Sequence, residues 1–84
     1  MRDNKDEKTL IDAAKADPAA FGSLYKRYVE RIFNYIYYRT GNVKDAEDLT
    51  GKVFFKALDN IQGYKHMGLP FSAWLYRIAH NLVA

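Results

Sequence analysis

The chain carries few of the side-chain arrangements on which catalysis depends. Asp45, Glu47 and Asp48 fall within one helical turn, but no histidine stands at a metal-ligand spacing from them. The helix dipole, which favours negative charge at a helix start, accounts for these carboxylates. His66 and His80 are isolated, and the sequence has neither a glycine-rich phosphate loop nor a glycine-framed serine. The sequence therefore predicts no enzyme, no metal site and no cofactor, and favours a binding function.

The last part of the chain combines positive charge with aromatic rings. After Asp59 it contains no Asp or Glu. The residues that can carry positive charge there are Lys65, His66, Arg77 and His80, and the interleaved aromatic residues are Tyr64, Phe71, Trp74 and Tyr76. Cations bind phosphates and aromatic rings stack on bases, so this composition is typical of a nucleic-acid surface. On composition alone, a core helix with a few solvated cations is the favoured explanation.

One side of the final predicted helix carries a candidate binding patch. Its members, at the spacing i, i+1, i+4 and i+5, are Tyr76, Arg77, His80 and Asn81. Such side chains can hold phosphates, hydrogen-bond base edges and stack on a base. The alternative is an ordinary polar helix face, with Asn81 as a local cap or turn residue.

The stretch DAEDLTGKVFFKAL places a phenylalanine among charges. At about 100° per residue, one face of the helix is lined by Asp48, Lys52, Phe55 and Asp59. Gly51 falls in the helix interior, where glycine costs about 1 kcal/mol relative to alanine. An exposed aromatic residue with charges around it is typical of a protein-docking surface. Alternatively, Phe55 packs beneath the N-terminal helix or a neighbouring loop.

The length and composition indicate one small domain. The 84 residues contain no cysteine, which excludes disulfides and fits a reducing compartment. No apolar run approaches the ~18 residues of a membrane span, and the charged start MRDNKDEK has no signal-peptide apolar region. We therefore expect a cytoplasmic protein without membrane insertion, in which residues 1–8 form a flexible N-terminus.

The spacing of apolar residues predicts an all-α fold, a small bundle of about four helices. The predicted helices span residues 9–16, 18–40, 43–62 and 70–84. Asp17 and Asn42 are candidate N-caps, and Gly41 is expected to end the second helix. A loop at 63–70, with two glycines and a proline, precedes the last helix.

Two motifs, occurring in order, resemble region 2 of bacterial sigma factors of the extracytoplasmic-function group. They are DAEDLT followed by VFFKA, and FSAWLYRIAHN; the upstream DPAAFGSLYKRYVERIFNYIYYRTGN is similar to the first long helix of that family. The resemblance extends from about Leu10 to Ala84.

The resemblance implies two binding surfaces. The helix with Asp48 would dock on the clamp helices of the RNA polymerase β′ subunit, at a site assigned to Asp48, Gly51, Lys52 and Phe55. The loop and the last helix would bind the non-template strand of the promoter −10 element and help to open the duplex. The DNA contacts are assigned to Tyr64, Lys65, His66, Tyr76, Arg77, His80 and Asn81. Trp74 is assigned mainly to packing.

The chain also departs from the family's pattern. Gly51 and Lys52 stand where the family usually has a glutamine and an acid, which changes the docking face. Region 4, the helix-turn-helix that reads the −35 element, would follow Ala84, so we expect an isolated domain of a longer sigma factor. Two alternatives remain: a helical interaction module whose main partner is an anti-sigma factor or regulator, and a plain helical domain with no nucleic-acid role.

Overall fold

Helices dominate the computed structural model, which describes residues 7–84. The helices are α1 (Glu7–Ala16), α2 (Phe21–Thr40), α3 (Val43–Asp59) and α4 (Phe71–Val83), with single 3-10 turns at Pro18–Ala20 and Ile61–Gly63. No strand occurs in this part of the chain, so the all-α prediction is confirmed. None of these helices is long and apolar enough to cross a bilayer.

Several helix boundaries differ from those predicted. Helix α2 begins at Phe21, after the 3-10 turn Pro18–Ala20 that Asp17 caps, and α4 is one residue shorter at each end. Helix α1 begins at Glu7, so Glu7 and Lys8 are helical rather than part of the expected flexible N-terminus; residues 1–6 lie outside the described residues. Helix α3 ends at Asp59 instead of continuing towards Gly63. Asn60 leaves the helical conformation (φ −112°, ψ 10°), and its side-chain amide donates to the carbonyl of Lys56. A polar side chain thus ends the helix although the apolar pattern continues.

The predicted caps fix the α2–α3 corner. The backbone N–H of Gly41 donates to the carbonyl of Tyr37, and Gly41 adopts the left-handed conformation (φ 67°) that glycine accommodates most easily. The Asn42 side chain then accepts from the backbone N–H of Asp45 at 2.9 Å. The two caps turn the chain back on itself, so that α3 packs against α2.

The core lies where α2, α3 and α4 meet. Its fully buried side chains include Leu24, Ile32 and Ile36 of α2, Val53 of α3, and Phe71 and Leu75 of α4. Burying each of these side chains contributes roughly 1.5–3 kcal/mol. Helix α1 adds Ile11 and Ala14 to this core from the side. The core therefore holds α4 and the loop before it on one side of the bundle.

Candidate functional site

A pocket of about 260 Å³ lies between the 63–70 loop and the start of α4. Its wall includes the aromatic rings of Tyr64 and Trp74, the cationic side chains of Lys65 and Arg77, and the apolar side chains of Met67 and Leu69. The pocket thus joins an aromatic surface to positive charge. These are the two properties that the sequence attributes to this segment.

The aromatic wall is built from two residues with different exposures. Tyr64 is only 8% exposed, because its ring packs against Phe71 at a centroid distance of 5.1 Å and against Trp74 at 4.9 Å. Burial, with a smaller contribution from the charge of Glu7, raises the pKa of the Tyr64 phenol. The contact of Tyr64 with DNA stays a prediction: most of its ring belongs to the core and supports Trp74, and a small exposed part lines the pocket. Trp74 itself is half-buried and lines the pocket.

The loop presents apolar side chains to solvent. Met67 is 78% exposed and Leu69 is 56% exposed, on either side of Gly68, whose φ of 82° requires a residue that tolerates the left-handed region. Lys65 and His66 are also exposed, as expected. Sequence reasoning missed Met67 and Leu69, although two large apolar residues in a glycine- and proline-containing loop are an available signal.

The predicted patch on α4 is divided. Arg77, His80 and Asn81 are exposed, and Arg77 reaches the pocket beside Trp74. Tyr76 instead turns towards α2 and packs edge-to-face on Tyr35 with a centroid distance of 5.1 Å. Tyr76 is therefore half-buried and contributes to helix packing, while the other three side chains remain open to a ligand.

The electrostatics of this side of the molecule favour an anion. No carboxylate follows Asp59 in the sequence, and within residues 7–84 neither Lys65 nor Arg77 forms a salt bridge. Their charges are therefore available to phosphates. In the same described part, no three His, Asp or Glu side chains gather as a metal site would require.

The surface of α3 is separate and apolar at its centre. Phe55 is 71% exposed, which rules out the alternative that it packs under a neighbouring element. Asp48, Gly51 and Lys52 are exposed on the same helix. A Cβ atom at Gly51 would have no heavy atom within 4 Å apart from the neighbouring residues and backbone of α3 itself, so packing does not require glycine there. The structure thus brings the four predicted docking residues onto one open surface.

Comparison with known proteins identifies the family. The Sigma-70 region 2 family matches residues 24–84. The chain is 47% identical over 76 residues to the ECF RNA polymerase sigma factor BldN of Streptomyces coelicolor, and this alignment covers 89% of this chain and 29% of BldN. It is 37% identical over 76 residues to the ECF RNA polymerase sigma factor SigW of Bacillus subtilis, and this alignment covers 90% of this chain and 40% of SigW. The chain therefore spans less than half the length of these relatives.

The fold agrees with a solved structure. A chain of the RsbN–BldN complex matches with a TM-score of 0.81 and 46% sequence identity, over 87% of this chain and 54% of the other. The family match covers most of the chain and includes both motifs, DAEDLT and FSAWLYRIAHN. The chain belongs to the Sigma-70 region 2 family and, with these relatives, to its extracytoplasmic-function group of sigma factors.

Proposed function

We propose that this domain binds RNA polymerase core through α3 and holds the non-template strand of the promoter −10 element at the loop–α4 pocket. The pocket lined by Trp74, Lys65 and Arg77 is the observation that carries the DNA part of this proposal. In this proposal the domain binds the strand and helps to separate the duplex, and it catalyses no reaction.

An unpaired base fits this pocket chemically. Stacking a base on an aromatic side chain contributes about 1–3 kcal/mol, and Trp74 offers a ring already held by Tyr64 and Phe71. The volume of about 260 Å³ suits a ligand of the size of one base. A base must leave the duplex stack to enter, so occupation of the pocket favours strand opening.

The charges beside the pocket suit the strand's backbone. Lys65 and Arg77 lie at its wall, and His80 and Asn81 extend the polar surface along α4. Contacts to phosphates fix the position of a strand, while contacts to base edges select its sequence. We assign the first role to Lys65 and Arg77 and the second to Asn81, whose amide can pair with a base edge.

Fluorescence anisotropy with labelled single-stranded DNA tests this assignment. An oligonucleotide enriched from a randomised pool by the wild-type chain is compared with its scrambled version at low and high salt. For a single strand, the slope of log K against log salt is about −0.7 for each phosphate contact. Arg77→Ala removes one such contact and should therefore make the slope less steep by about 0.7. Lys26→Ala, which removes an exposed lysine from α2, is the matched control. Equal effects of the two variants would contradict the assignment.

The open surface of α3 supports the polymerase part of the proposal. A large exposed aromatic residue is the usual anchor of a protein interface, and charged residues form its rim. Phe55 would be the anchor, with Asp48 and Lys52 beside it. A pull-down with a β′ clamp fragment, comparing the wild type with Gly51→Gln and Lys52→Glu, measures whether the departures from the family pattern weaken docking. Unchanged affinity would mean that Phe55 and Asp48 carry the contact; a sharp rise would mean that this chain competes weakly for core enzyme.

A second candidate function is supported by the solved neighbour. That neighbour belongs to a complex of BldN with RsbN, so a close structural relative is held by another protein. We propose that a regulator of the anti-sigma type binds this domain and competes with the polymerase for the Phe55 surface. If a bound regulator and the clamp fragment can occupy the domain together, the regulator uses another surface.

The wider setting follows from the length of the relatives. Because the chain covers only 29% of BldN and 40% of SigW, we propose that it acts within a longer sigma factor that also contains region 4. Transcription initiation would place that protein in the cytoplasm.

A further inference from the structure

Helix α1 is bonded to both ends of the loop that forms the pocket. At its first turn, the Glu7 carboxylate accepts from the backbone N–H of Phe71 at 3.2 Å and from the Tyr28 hydroxyl. At its last turn, the Lys15 ammonium donates to the carbonyl of Tyr64 at 2.7 Å. The carbonyl of Lys15 also accepts from the Gln62 side-chain amide at 2.6 Å. We call these contacts the α1 bridge.

The Glu7 contact replaces a missing local cap. Helix α4 begins after Pro70, whose side chain cannot accept a hydrogen bond, so no N-cap bond is made there. The Phe71 N–H finds its acceptor on Glu7, 64 positions away. A carboxylate at this place also interacts favourably with the positive end of the α4 dipole. The start of α4 therefore depends on α1.

The residues between the two ends of the bridge have little other support. Every residue from 65 to 70 is exposed, and the buried neighbours are Tyr64 and Phe71, the two residues whose backbones α1 binds. Trp74 lies one turn into α4 and packs on both of them. Any shift of Tyr64 or Phe71 must therefore change the shape of the pocket.

We propose that Glu7 and Lys15 are positioning residues for the nucleic-acid pocket: α1 holds the loop ends at the separation that opens the pocket beside Trp74. Neither residue lines the pocket. Holding the loop in advance removes an ordering cost that binding would otherwise pay. This inference rests on the proposed DNA-binding function.

The sign of the Glu7 effect distinguishes positioning from simple electrostatics. Removing a carboxylate near a nucleic-acid surface should strengthen binding if charge alone matters. The α1 bridge requires the opposite, and we expect Glu7→Ala to weaken binding of the enriched oligonucleotide about tenfold. Glu7→Gln keeps an acceptor for the Phe71 N–H and should stay within about threefold of the wild type. Asp12→Ala, which removes the same charge from an exposed position on α1, should not weaken binding. A folded Glu7→Ala variant that binds as well as the wild type or better overturns the inference.

A second measurement does not depend on DNA. Amide hydrogen exchange at Tyr64 is followed in Lys15→Met, with Lys26→Met as the control of equal charge change. We expect faster exchange at Tyr64 in Lys15→Met, no such change in Lys26→Met, and unchanged exchange in α3 for both. Equal exchange at Tyr64 in the two lysine variants overturns the inference. This comparison decides the matter even if Glu7→Ala does not fold. If the wild type enriches no oligonucleotide, the proposed function fails, while this exchange comparison still decides whether α1 positions the loop.

Discussion

Replacing Gly51 by alanine should make this domain more stable. Gly51 lies in the interior of α3, with eight helical residues on either side. Glycine at such a position is about 0.8–1.0 kcal/mol less favourable than alanine, because it loses more backbone freedom on folding. Apart from the neighbouring residues and backbone of α3 itself, no heavy atom lies within 4 Å of the place a Cβ would take, so no steric cost offsets this gain. We expect the free energy of unfolding to rise by about 1 kcal/mol.

Thermal denaturation followed by circular dichroism measures this change. For a domain of this size, about 1 kcal/mol corresponds to a rise of roughly 4–8 °C in Tm. Gly41→Ala is the matched control, since the substitution is the same but Gly41 has a φ of 67°. An alanine there adopts a left-handed conformation that costs about 1–2 kcal/mol, so its Tm should fall.

The opposite signs make the test decisive for α3. If Gly51→Ala leaves the Tm unchanged or lowers it, while Gly41→Ala lowers it as expected, Gly51 does not lie in an open helix interior.

The same pair of variants also helps to interpret the clamp-binding experiment. Any change in clamp affinity that Gly51→Gln shows beyond Gly51→Ala belongs to the glutamine side chain, because both substitutions remove the glycine.

Three further expectations concern other parts of the molecule. Burial, followed by the hydrogen bond and charge of Glu7, raises the pKa of Tyr28 to about 12 from 10.0. The stability that this shift contributes should therefore be fully present below pH 10 and be lost between pH 10 and 12, a fall of at most about 3 kcal/mol. Urea titrations across this range should show a smaller fall in Tyr28→Phe; an identical fall would contradict the cause. Phe55→Ala should change unfolding free energy by less than about 0.5 kcal/mol but weaken clamp binding at least about 30-fold, as a pull-down titration would show. Leu75→Ala, at a fully buried position, should destabilise the domain by about 2–5 kcal/mol in urea; a value near zero would contradict the core packing.

Local signals made much of the fold predictable. Gly41 and Asn42 act through their own backbone and side chain, so the end of α2 and the start of α3 follow from the sequence around them. The apolar spacing that predicts four helices reflects one shared core. Asn60 shows the limit of such patterns, because a single side-chain bond ends α3 while apolar residues continue at helical spacing.

The site was less predictable, because the exposure of its side chains depends on contacts between residues that are distant in the sequence. Tyr64 sits among polar loop residues in sequence, and only its contacts with Phe71 and Trp74 reveal that it is buried. The helical spacing assigns Tyr76 to the α4 patch, but its ring packs against Tyr35 of α2. The role of Glu7 was hidden among the charges of the N-terminal segment, since its partner Phe71 is distant in the chain. The exposure of Phe55, by contrast, agreed with the helical spacing.

The fluorescence of Trp74 tests the central claim most directly. Trp74 is the single tryptophan of the chain, and it lines the pocket in which we place an unpaired base. Titration with the enriched oligonucleotide, in the presence of a tryptophan-free β′ clamp fragment, should quench this fluorescence to saturation. The midpoint should shift to higher DNA concentration in high salt and in Arg77→Ala. DNA binding detected by anisotropy without any change in Trp74 fluorescence would contradict the account, because the strand would then be bound away from the pocket.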